Sequence, residues 1–76
     1  MNTIDRLAEQ LAIDVLKAQE ERGQDRLYVE VGELLATSSQ SLEEAFLTEM
    51  RVRLSEKGAR ALLARKLAAG RTKGDQ

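Results

Sequence analysis

The chain has no cysteine, no histidine, no proline and no tryptophan among its 76 residues, and its aromatics are one tyrosine and one phenylalanine. Each absence excludes something. Without cysteine there can be no disulfide and no thiolate metal site. Without histidine as well, a zinc site would need carboxylates alone, so no metal and no other cofactor is expected. The usual general base and the thiol nucleophile are both missing. Ser38, Ser39, Ser41 and Ser55 have no evident base partner. Asp14, Glu20 and Glu21 fall on a polar helix face, and paired carboxylates need a cleft that shifts their pKa values. The chain is therefore expected not to be an enzyme. With only Tyr28 and Phe46 as aromatics, it has no stacking platform for single-stranded nucleic acid.

No apolar run approaches the roughly 20 residues of a membrane span. Residues 1–25 carry acids throughout and hold no continuous apolar segment of the signal-peptide kind. Lack of cysteine fits a reducing compartment, and the expected location is cytoplasmic. A chain this short buries only roughly 60% of its unfolded surface. Disulfides and metals being excluded, association with another chain is the supplement that remains.

What is present is charge, unevenly spread. Residues 1–50 hold four bases and eleven acids, a net −7. Residues 51–76 hold eight bases and two acids, a net +6, so the whole chain is −1. A basic end of this kind meets something anionic, and the acidic half of the same fold, or of a second copy, is one candidate.

Ala, Leu, Glu, Arg, Lys and Gln dominate, which is helix-forming composition. The expected fold is all-α, a small bundle of three to four helices over about 3–22, 26–36, 42–57 and 59–69. Residues 1–69 form one helical domain, and 70–76 form a disordered tail. In the first helix Asn2 or Thr3 caps the start. Ile4, Leu7, Ala8, Leu11, Val15 and Ala18 share one face, with Ile13 and Leu16 off it. Gly23 supplies the stop, and Asp25 is a fair cap for the next element. Residues 27–36, LYVEVGELLA, fit a strand through Leu27, Val29 and Val31. They also fit a helix through Leu27, Val31, Leu34 and Leu35. No second strand exists to pair with, which favours helix.

Ser41 and Glu44 have the spacing of a capping box for the third helix. Phe46, Leu47, Met50, Leu54 and Ala61 form its apolar stripe, and Tyr28, Phe46 and Met50 are candidate core. Beyond Gly58 the stripe moves. Ala59, Leu62, Leu63 and Leu67 centre well over 100° around the axis, at about 100° per residue. Two readings stay open. Gly58 kinks or breaks the helix, or one long helix carries two apolar faces. In the second case the later face, with Val52, Leu62, Leu63 and Leu67, is an interface with another chain.

The stretch LLATSSQSLEEAF (34–46) resembles the joint of a helix-turn-helix, which would place a DNA-reading motif over residues 27–54. Its recognition helix would open on Glu43 and Glu44, and no base occurs between Arg26 and Arg51. Acids at the groove oppose phosphate binding. Arg51, Arg53, Lys57 and Arg60 are the candidate contacts to nucleic acid or to an acidic partner. On a helix they lie in thin stripes, with no Trp or Phe beside them to make a membrane-surface face. The expected function is a non-catalytic protein–protein interaction or regulatory module that self-associates as a homodimer. The alternative is a small DNA-binding transcriptional regulator.

Overall fold

A computed structural model describes the backbone of residues 2–74 and the side chains of residues 2–70. It contains three helices, α1 (Thr3–Arg22), α2 (Leu27–Ser38) and α3 (Gln40–Gly74), and no strand among the described residues. Residues 27–36 are therefore helical. Gly58 does not break the chain, so the separate segments expected over 42–57 and 59–69 are one helix. A glycine inside a helix costs about 1 kcal/mol relative to alanine, which favourable neighbours on both sides absorb. The tail expected over 70–76 falls only partly outside the described residues. Positions 75 and 76 lie outside them, and of 71–74 only the helical backbone is described.

Local chemistry sets the joints. Asn2 Oδ1 accepts the Asp5 amide at 2.8 Å and caps α1. Gly23 ends it at φ 65°, a left-handed conformation that glycine adopts without a Cβ clash. The two later caps differ from the sequence expectation. Asp25 does not cap α2. Arg26 stands at that cap position and makes no side-chain bond. Instead Gln19 of α1, buried and polar, accepts the Tyr28 amide on Oε1 at 2.9 Å. A tertiary neighbour satisfies a first-turn amide that no local residue reaches.

The capping box at Ser41 and Glu44 is not formed either. Ser39 is the one non-helical residue between α2 and α3, and its Oγ accepts the Leu42 amide at 3.2 Å. Its own amide donates to the Leu35 carbonyl at 2.7 Å, closing α2. Glu44 takes a bond from the Gln40 side chain instead. Thr37 and Ser38 both donate hydroxyls to the Leu34 carbonyl, which holds α2 helical to its last residue.

Directions follow from the contacts. Ile4, Asp5 and Ala8 line one groove with Ser41, Glu44 and Ala45. Further along, Glu20 reaches Lys57. Thus α1 and α3 run side by side in the same direction, and α2 returns between them. The core is Ala8, Ala12 and Val15 of α1 against Phe46 and Met50 of α3. Leu27, Tyr28, Val31 and Leu35 of α2 cover it. Two alanines on α1 admit the two largest fully buried side chains among the described residues.

Phe46 and Met50 are core as expected, and other positions are not. Leu7 is 54% exposed, Ile4 is exposed, and the buried face of α1 is rotated toward Ala12 and Gln19. Leu34 is 68% exposed. Ala61 is exposed because neither α1 nor α2 reaches its level. At 1.5 Å per residue α1 spans about 30 Å and α3 about 52 Å. Arg22 ends α1 just past the level of Lys57, and every residue from Ser55 to Gly70 is exposed.

Two outcomes are expected in urea unfolding. Phe46→Ala should lose about 3–5 kcal/mol, and an unchanged midpoint would contradict the core assignment. Gln19→Leu should lose roughly 1–3 kcal/mol by orphaning the Tyr28 amide, with faster hydrogen exchange at the start of α2. Parent-like exchange there would rule out the cross-helix cap.

Candidate functional site

Residues 58–74 of α3 form a helical arm that runs on beyond the bundle, since α1 and α2 have both ended. The arm carries Leu62 (48% exposed), Leu63 (54%) and Leu67 (58%). Val52, at 62%, lies below them on the same helix. Most helical stability comes from packing an apolar face, and the exposed leucines gain little from burial within this chain.

Counting about 100° per residue, Ala45, Glu49, Val52, Glu56, Ala59, Leu63 and Leu67 follow one another along one side of α3. Leu62 stands about 100° from Leu63, at the edge of that side. The side is continuous from the first turn of the helix to the arm. In its lower half it forms one wall of a groove whose other wall is α1. The groove has two parts that share Glu49. One, of about 340 Å³, is lined by Ile4, Asp5, Ala8, Glu44, Ala45 and neighbours. The other, of about 570 Å³, is lined by Leu16, Glu20, Glu49, Val52, Arg53, Glu56 and Lys57. The floor is apolar through Ile4, Ala8, Ala45, Leu16 and Val52. The rim is acidic, with five carboxylates against two bases.

Those two bases are held within the chain. Arg53 bonds Glu49 at 3.2 Å and lies 4.0 Å from Glu9. Lys57 bonds Glu20 at 3.0 Å. Arg60 pairs with Glu56. Half-exposed pairs of this kind contribute roughly 0–1 kcal/mol each, and they also occupy the cations. Of the candidate nucleic-acid contacts, only Arg51 makes no ion pair among the described residues. The structure does not bring Arg51, Arg53, Lys57 and Arg60 together as one open basic patch. It brings Val52, Leu63 and Leu67 onto one side. The groove beside Val52 was missed by sequence reasoning, although Leu16, off the expected face of α1, was a signal for it.

No group of three or more acids among the described residues is placed to hold a metal ion. No helix among them is long and apolar enough to cross a membrane. No protein-family model, curated protein or solved structure matches the chain.

The arm offers a clean measurement of backbone propensity. A Cβ built at Gly58 meets nothing within 4 Å. Gly58→Ala should add about 0.5–1 kcal/mol of helix stability, seen as higher helicity by circular dichroism on warming. A loss of helicity would show that the glycine is required by a contact at that point.

Proposed function

We propose that the protein is a non-catalytic interaction module that works by pairing with a second copy of itself through the arm of α3. The observation that carries this reading is the arm itself. A helix extended well past its supporting bundle, with Leu62, Leu63 and Leu67 exposed, needs a covering chain. A 76-residue chain without disulfides or metal ligands is the kind that gains stability from association. A homodimer built this way would serve as an accessory or regulatory component.

DNA binding is the second reading, and the geometry supports it less well. A helix-turn-helix uses a joint of three to four residues, and α2 meets α3 across Ser39 alone. The first turns of α3 present Glu43 and Glu44, which oppose phosphate contacts.

Light scattering on a gel-filtration column, at low and high salt, tests the proposal. A dimer is expected at both. Leu63→Glu or Leu67→Glu should give a monomer whose bundle stays helical, because neither residue touches the core. A parent protein that is monomeric throughout would reject self-association. Salt-dependent binding to duplex DNA that weakens when Arg51 and Arg53 are neutralised would transfer the function to the second reading.

A further inference from the structure

From the shape and charge of the groove we infer that the partner seated in it is the arm of a second copy, laid antiparallel, so that each copy's arm lies along the other's α1–α3 groove. This rests on the self-association proposed above and specifies its geometry. Four observations converge on it.

The first is continuity. The groove wall (Ala45, Glu49, Val52, Glu56) and the arm's apolar side (Ala59, Leu63, Leu67) are the same side of α3, at about 100° per residue. A two-fold axis through the middle of α3 therefore turns the arm of one copy onto the groove of the other. The same patch meets itself, as an isologous contact requires.

The second is length. The bundle covers α3 from residue 40 to about 57, eighteen residues, and the arm from 58 to 74 has seventeen. An arm reaching back from the middle of α3 runs the length of the groove and ends with it.

The third is charge. From Lys57 to Gly74 the helix has six bases and no acid. From Gln40 to Met50 it has three acids (Glu43, Glu44, Glu49) and no base. Asp5 and Glu20 of α1 add to the acidic rim. A parallel pair would set basic arm on basic arm. An antiparallel pair sets each basic arm on an acidic groove. Charge of this kind selects orientation more than it adds affinity, and the leucines supply the buried surface.

The fourth is register. A two-fold axis within half a residue of the helix midpoint pairs positions that add to 115, against 114 for the ends of α3 at 40 and 74. Val52 then faces the second copy's Leu63, and Glu49 faces its Lys66. Apolar meets apolar and acid meets base in one register.

The absence of native cysteine makes the test direct. Val52→Cys and Leu63→Cys are prepared separately. Both side chains are exposed in the single chain, so neither change disturbs the fold. Each variant is oxidised alone, and then after unfolding and refolding as an equal mixture. The mass of the reduced protein is measured alongside by light scattering. The expected result is a disulfide-linked dimer in the mixture and none in either variant alone. Two copies of residue 52 would lie about 16 Å apart along the antiparallel pair, far beyond the 4.4–6.8 Å between Cα atoms that a disulfide spans. Cross-linking of Val52→Cys or Leu63→Cys with itself would overturn the antiparallel arrangement while leaving self-association standing. A dimeric mass with no cross-link in any sample would overturn this face as the interface. A monomeric mass would remove the self-association beneath it.

Discussion

Phe46 and Met50 rest on Ala8 and Ala12, and the rest of the molecule is arranged around that contact. Two small residues on α1 let α3 approach closely enough for two large side chains to be fully buried. The contact holds α1 against α3, and the two run in the same direction, with Ile4 beside Ala45 and Glu20 reaching Lys57. Parallel neighbours need a return element, and α2 supplies it in twelve residues. Gln19 then fastens the start of α2 by a side-chain bond to its Tyr28 amide. The bundle is small, and each of its parts depends on this one seam.

Helix length has a second consequence. The seam occupies the first half of α3 only, because α1 has 20 residues and α3 has 35. Everything after the end of α1 lacks support from the bundle. The arm's leucines and the groove beside Val52 are thus two results of one mismatch. One is exposed apolar surface, and the other is a cleft between two helices. Their opposite charge is what the proposed antiparallel pairing with a second copy would use. The ion pairs of Arg53, Lys57 and Arg60 lie at the boundary between the two halves, where the acidic and basic parts of the chain first meet.

Much of the fold is legible in the sequence. The 3.6-residue pattern of α1, the Asn2 and Gly23 signals at its ends, and the Phe46–Met50 stripe all reappear. Those features are local, set by spacing within a turn or two. The missed ones are not local. Asp25 and Ser41 had the right chemistry for caps, yet Gln19 and Ser39 hold those roles. For Gln19 the deciding factor was a neighbouring helix, and for Ser39 it was where the chain had to turn. Leu7 and Leu34 have the right periodicity for burial and remain exposed, because a stripe wider than its partner leaves an edge in water. Of the candidate site, the apolar side of the arm was visible in the spacing of Ala59, Leu63 and Leu67. The groove was not, since facing residues such as Leu16 and Val52 lie more than 30 positions apart in the chain.

By itself the sequence determined an all-helical chain, no disulfide, a charge reversal near residue 51, and a second apolar stripe after Gly58. These depend on composition and short-range periodicity, which need no partner to be read. Tertiary structure alone decided that α1 and α3 run in the same direction, that the later apolar stripe lies beyond the reach of α1, and that Leu16 and Val52 share a groove. Each of those depends on how one helix runs beside another, and that is set by packing at Phe46 and Met50 rather than by any residue's own preference.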